Sequence, residues 1–135
     1  MKKLLVSLST FALVVGALAL PASAMPQMTT TTSKSVQPYA TYTLPTPWIK
    51  HFIAPNDVSG GDTLTFSSHD EHGLNIKVKG STQNLKVKIS HAGDTIDTPF
   101  PSSGSGFFKV KGNTTTVYFY NKGGTQKNIE VRYTQ

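Results

Sequence analysis

From Tyr39 onward the chain alternates apolar and polar residues with a period of two. "ATYTL" (40–44) alternates, "PTP" interrupts it, and "WIKHFI" (48–53) follows. "TLTFSSH" (63–69) sets Leu64 and Phe66 on one face. Two Lys-bearing segments come next, at 74–79 and 85–90, and then "FFKVKG" (107–112), "TTTVYFYN" (114–121) and "NIEVRYT" (128–134). Successive side chains of a strand point to opposite faces, so each segment reads as a half-buried strand. The intervening stretches are rich in Gly, Pro, Asn, Asp and Ser and read as loops or turns: "APNDVSGGD" (54–62), "DEHG" (70–73) and "KGGTQ" before the last strand. The longest irregular stretch is "HAGDTIDTPFPSSGSG" (91–106), with Ile96 and Phe100 as its anchors. No segment carries a 3.6-residue period. Seven or eight short strands at spacings of about 8–12 residues predict an all-β fold. The expected domain is a single antiparallel β-sandwich over residues 39–135, of immunoglobulin-like or jelly-roll type.

The first 24 residues read differently. Lys2 and Lys3 precede an apolar stretch from Leu4 to Leu20, and Ala22-Ser23-Ala24 follows. A positive start, an apolar centre and a small-residue site are the parts of a secretory signal peptide, expected to be cut after Ala24. The style of this leader is bacterial, and the expected location is secreted or extracellular. Residues 25–38, "MPQMTTTTSKSVQP", are Thr/Ser-rich, nearly uncharged and without apolar period, so a flexible lead is expected there. What remains is enough for one domain with one core. The chain has no Cys, so this core is expected to hold without disulfides although the protein is exported.

Charge adds a second pattern. Eleven of the basic residues and all seven acids follow residue 24, a net charge of +4 with neutral His. Three strands write aliphatic and Lys in alternation: Lys77 and Lys79, Lys86 and Lys88, Lys109 and Lys111. If the first two strands pair as a hairpin with apolar faces matched, at least one Lys faces a Lys directly. Such like-charge pairs cost from a few tenths to about 1 kcal/mol. The plain reading is a solvated face in which Lys keeps the sheet soluble and blunts its edges. The functional reading is a cationic face for an anionic cell-wall polymer, an acidic polysaccharide or an anionic membrane surface. The warrant for the second is that an ordinary solvated face mixes Glu with Lys, whereas these three strands carry six lysines and no acid. Sequence-specific nucleic-acid reading is not expected: Arg132 is the only Arg, and no aromatic interleaves with these lysines along the sequence.

Other residues offer less. "HDEH" (69–72) gathers two imidazoles and two carboxylates, so His69 and His72 are the candidate metal ligands. Adjacent ligands in a turn seldom converge, and no metal or other cofactor is expected. No nucleophile elbow and no Gly-rich phosphate loop occurs, so no enzyme activity is expected. Tyr39, Tyr42, Trp48, Tyr118, Tyr120 and Tyr133 either pack the core and its rim or line a face on which sugar rings stack. The tail "VYFYNKGGTQKNIEVRY" is similar to the last hairpin of secreted bacterial β-sandwich modules, in which a strand ends in Asn, a Gly turn follows and an alternating strand closes the sheet. The resemblance implies that ending and no site. The function expected is therefore a secreted, non-catalytic module that binds an anionic or carbohydrate polymer at the bacterial cell surface. The alternative is a secreted effector: an antimicrobial protein, a membrane-active toxin or an inhibitor.

Overall fold

Among the described residues nine strands form, one more than the upper expectation. They are β1 (Ala40–Thr43), β2 (Ile49–Ile53), β3 (Asp62–Thr65), β4 (Glu71–Lys79), β5 (Leu85–His91), β6 (Asp94–Pro99), β7 (Ser105–Lys111), β8 (Thr114–Asn121) and β9 (Lys127–Thr134). This computed structural model describes residues 39–135; the expected signal peptide (1–24) and the lead (25–38) lie outside the described residues. The unexpected strand is β6, inside the stretch read as irregular. It lies at the edge of its sheet beside β5 and carries Asp94, Asp97 and Pro99. Charge and Pro are what an edge strand uses to discourage further pairing, and they made the segment look like a loop.

The strands make a five-stranded sheet, β1-β3-β8-β5-β6, and a four-stranded sheet, β2-β9-β4-β7. Their pairing is nested. β5 pairs with β6, β4 with β7, β3 with β8 and β2 with β9, all antiparallel. The chain from β2 to β9 is thus one long hairpin with its tip between β5 and β6. Successive strands along each arm fall in alternate sheets, and pairs β4–β9 and β5–β8 join the arms within each sheet. This winding is the jelly roll. β1 adds to the edge of the five-stranded sheet, parallel to β3.

Two expectations are corrected by this winding. The Lys-bearing strands β4 and β5 do not form a hairpin; they lie in opposite sheets. The tail is not a hairpin either, because β8 lies in one sheet and β9 in the other. Gly80 makes the first of these crossings possible. It has φ +113°, and a Cβ there would sit 2.8 Å from the carbonyl oxygen of Asn128.

The interior is filled from both sheets. Leu64, Val87, Ile89, Val117 and Phe119 meet Leu74, Ile76, Val110, Val131 and Tyr133, each fully buried. Each such side chain contributes about 1.5–3 kcal/mol relative to exposure, the physical basis of a fold without disulfides. Polar contacts tie the sheets together at several points. The Thr46 hydroxyl accepts from the Tyr133 N–H at 3.0 Å, and His91 Nδ1 accepts from the Lys111 N–H at 3.0 Å. The buried Asn121 amide lies within reach of the carbonyls of Ile53 (3.2 Å), Ala54 (3.1 Å) and Thr125 (2.7 Å). Its oxygen accepts from the Gly123 N–H at 3.0 Å.

Candidate functional site

The polar side of β4 carries Lys77 and Lys79, and the polar side of β7 carries Lys109 and Lys111; all four are exposed. Both strands belong to the four-stranded sheet, so these four lysines share one outer face. Lys86 and Lys88, on β5, stand on the outer face of the other sheet. The single six-lysine face is therefore corrected to four and two, on opposite sides of the molecule.

Register adds what the sequence pattern missed. Lys77 lies directly opposite Arg132 of β9, and Lys79 opposite Glu130, which is in turn opposite Lys50 of β2. The outer face of the four-stranded sheet thus holds six cations, Lys50, Lys77, Lys79, Lys109, Lys111 and Arg132, against two carboxylates, Glu71 and Glu130. Glu71 pairs with Lys109 at 3.2 Å, both well exposed. Lys77 and Arg132 face each other, and among the described residues neither has an acid within ion-pair distance. A directly opposed like-charge pair is destabilising by some tenths of a kcal/mol.

Aromatic rings lie among these cations, against the expectation from sequence. The Lys79 ammonium sits 4.0 Å from the Trp48 ring centroid. Phe52, on β2, is 53% exposed and Phe107, on β7, 61% exposed. The Phe107 ring lies over Gly73, where a Cβ would sit 2.8 Å from its edge. A shallow groove of about 380 Å³ runs along this face, lined by Lys50, Phe52, Lys79, Gly80, Asn128 and Glu130. This arrangement can hold an anionic chain: several ammonium groups set by a rigid sheet, with apolar rings between them.

The opposite face is chemically different. There Lys86 forms a 2.9 Å ion pair with Asp97 of β6. Lys88 lies between Tyr118 and Asp97 in register, and Lys86 between Tyr120 and Pro99. Of the six aromatics read as core or sugar-stacking, Tyr133 is fully buried and Tyr42 packs against the core. Tyr118 and Tyr120 stand half-buried on the outer face of β8, with Tyr39 beside them.

The histidine candidates part company. His69 is exposed in the turn, whereas His72 enters β4 on the core side and stacks on Phe66 at 4.6 Å. Both nitrogens of His72 are engaged: Nε2–H donates to the Ser68 carbonyl at 3.0 Å and Nδ1 accepts from the Gln135 amide at 3.2 Å. Among the described residues no three His, Asp or Glu side chains converge as metal ligands.

A different polar cluster forms in the interior. His51 Nε2–H donates to Asp62 Oδ2 at 2.8 Å, and the Tyr133 hydroxyl donates to the same oxygen at 2.5 Å. Burial pushes the Tyr133 hydroxyl well above its ordinary pKa, and the Asp62 charge adds to the shift. His51 is 4%, Asp62 3% and Tyr133 0% exposed, so a substrate in solvent does not touch them. The signal for this cluster lies in the parity of the strands. His51 falls between Ile49 and Ile53 on the apolar side of β2, and Asp62 precedes Leu64 on the apolar side of β3. Two polar residues on buried parity call for partners.

No protein-family model matches the sequence, and no curated protein matches it. Solved structures do match the fold. The pre-peptidase C-terminal domain of a collagenase from Bacillus anthracis superposes with TM-score 0.56 at 14% identity, covering 72% of this chain and 95% of that one. PliG from Aeromonas hydrophila, a periplasmic inhibitor of g-type lysozyme, superposes with TM-score 0.50 at 12% identity, covering 72% of this chain and 98% of that one. At these identities the likeness is one of fold: both neighbours are β-sandwich-like domains.

Proposed function

We propose that this protein is an exported, non-catalytic module that binds an anionic polymer of the bacterial cell surface on the outer face of its four-stranded sheet. The single observation that carries the reading is the composition of that face. Six cations stand against two carboxylates, and Lys77 opposes Arg132 with no acid within ion-pair distance of either. A face kept only for solubility gains by mixing Glu with Lys across strands; this one forgoes most of that gain. Lys77, Lys79, Lys109 and Lys111 carry the contact, joined by Lys50 and Arg132. Lys86 and Lys88 lie outside it. The leader of the first 24 residues supports export, which puts such polymers within reach. An anionic membrane surface presents the same chemistry. A lone Arg leaves no set of bidentate base readers, so sequence-specific nucleic-acid binding is not part of the reading.

The test is retention of the mature protein on purified bacterial cell wall, with and without its anionic polymers, across a salt series. Retention that needs the polymers and fades with salt supports the reading. Absence of retention at low salt removes it.

The second reading is a secreted effector of the inhibitor type. The observation favouring it is the fold shared with PliG, which is a lysozyme inhibitor. Measuring g-type lysozyme activity on a soluble substrate with increasing mature protein separates the two, since a polymer binder that does not touch the enzyme leaves that rate unchanged.

A further inference from the structure

The outer face of the five-stranded sheet is the less charged of the two, and its side chains lie in ordered rows. One row of hydroxyls crosses all five strands in register: Thr41, Thr63, Thr116, Ser90 and Thr95. The next row is Tyr118, Lys88 and Asp97, and the one after it Tyr120, Lys86 and Pro99. From the geometry of these rows we infer a second binding surface, for an uncharged polysaccharide, on which Tyr118, Tyr120 and Tyr39 stack against sugar rings while Lys86, Lys88 and Asp97 bond their hydroxyls. It goes beyond the anionic-polymer reading and does not depend on it.

Three observations support the inference. First, Tyr118 and Tyr120 have no role in the core, which β8 packs with Val117 and Phe119 instead. They stand two residues apart on one face, about 6.6–6.8 Å along the strand. Tyr39 lies beside Tyr118, ring centroids 6.2 Å apart and planes at 87°. Second, the rings lean over the sheet where a side chain has been left out. A Cβ at Gly61 would sit 2.8 Å from both the Tyr118 and the Tyr39 ring. Val58, 38% exposed, bridges to Tyr120 on the other flank, so apolar surface continues past the tyrosines. Third, the charge is low. Lys86 and Asp97 neutralise each other at 2.9 Å, leaving Lys88 in these rows and Lys122 at their border, its ammonium 5.4 Å from the Tyr120 ring centroid.

These features select the occupant. A pyranose ring has an apolar C–H face and a rim of hydroxyls. Rings such as Tyr take the apolar face, and a few fixed donors and acceptors set the orientation. The Lys86–Asp97 pair supplies both a donor and an acceptor held in place by each other. A polyanion gains little here compared with the opposite face. An apolar peptide would take the hydroxyl row and the ion pair out of water and offer them nothing to bond beyond each other.

The experiment uses the mature protein on insoluble cellulose and chitin in about 1 M NaCl, where the Debye length is ~3 Å and charge attraction is screened. Three variants are compared with it: Tyr118→Ala with Tyr120→Ala, the same positions changed to Phe, and Lys77→Glu with Lys109→Glu. Retention of the mature protein on at least one of the two glycans is expected. It should fall at least tenfold in the Ala pair and stay within about twofold in the Phe pair and the Lys pair. Tyr39→Ala is the check on folding. Tyr39 is 68% exposed and outside the core, and its loss should weaken retention several-fold with no change in thermal midpoint. No retention on either glycan, or equal retention in the Ala pair and the mature protein, overturns the inference. Loss of retention in the Lys pair alone assigns the glycan to the other face and overturns it too. Failure of cell-wall retention at low salt is a separate result that bears on the anionic-polymer reading alone.

Discussion

The Tyr133 hydroxyl lies 2.5 Å from Asp62 Oδ2, joining the last strand of one sheet to β3 of the other across the interior. The same oxygen takes the His51 Nε2–H, so three strands of the two sheets meet at one carboxylate. A buried carboxylate must be bonded or neutralised. The two donors answer that need, and each donor also gains from the other's presence, since the acceptor they share costs more to bury alone.

Tyr133→Phe is expected to destabilise the protein by about 1.5–3 kcal/mol at neutral pH, the range for a hydrogen bond to a charged group. The pH dependence carries a sharper signature. Burial first, then the Asp62 charge, raises the Tyr133 pKa above 10.0. The folded state therefore keeps its proton when the unfolded chain loses it. Stability from this group is full below pH 10 and falls as pH rises above it, by up to about 1.4 kcal/mol per pH unit. Tyr42 and Tyr118 shift the same way, mainly through burial. Urea unfolding between neutral pH and the alkaline limit should show this decline, and the Phe variant a shallower one. Equal slopes in both proteins would remove Tyr133 as its source.

Asn121 is expected to be the most sensitive polar position. Its amide reaches the end of β2 through Ile53 and Ala54 and the β8–β9 turn through Thr125. Asn121→Ala leaves those carbonyls and the Gly123 N–H without a buried partner, at roughly 2–4 kcal/mol. Asn121→Asp turns a donor into a charged acceptor facing three carbonyl oxygens and should cost more than Ala. The check is the urea midpoint at constant slope. A loss under about 0.5 kcal/mol for Ala would mean that solvent replaces the clamp.

Charge reversal should separate the two faces. Lys77→Glu with Lys109→Glu is expected to weaken cell-wall retention strongly and to lower the steepness of its salt dependence by about one per lost contact, in the manner of counterion release. Lys86→Glu with Lys88→Glu adds the same charge change on the opposite sheet and should have little effect. Equal losses for the two pairs would make net charge, and not the four-stranded face, the cause.

Alternation alone carried the reading as far as alternation can. It separates inward from outward residues, and eight of the nine strands followed from it. It cannot say which sheet a strand joins, because both sheets bury their apolar side in the same interior. Ile76 and Val78 on β4 and Leu85, Val87 and Ile89 on β5 have the same pattern, yet they face one another across the core instead of lying side by side. For that reason Lys77, Lys79, Lys109 and Lys111 share one outer face while Lys86 and Lys88, with the same local pattern, stand on the other. Lys50 and Arg132 reach the cationic face because β9 pairs with β2 on one side and β4 on the other, long-range pairings with no local trace. The strand β6 was hidden for a different reason: Asp94, Asp97 and Pro99 protect its edge and imitate a loop. The polar cluster was legible in principle, since His51 and Asp62 occupy apolar parity, but only pairing shows that they meet.

Trp48 provides a direct readout of the cationic face. It is the only Trp in the chain, and the Lys79 ammonium lies 4.0 Å from its ring centroid. At an exposed site such a contact is worth about 0.5–1 kcal/mol, little enough for a strong anion to compete for the ammonium. Titration with inorganic polyphosphate should therefore change Trp48 emission in a saturable way, and added salt should reverse the change. In Lys79→Ala the starting emission should differ from that of the parent, because the cation is gone, and the response to polyphosphate should shrink. Lys88→Ala, on the other sheet, should respond as the parent does. If polyphosphate binds by an independent measure and Trp48 emission stays constant, the polymer does not lie across β2, β9 and β4. The contact surface would then be confined to the Lys109 and Lys111 edge of the sheet.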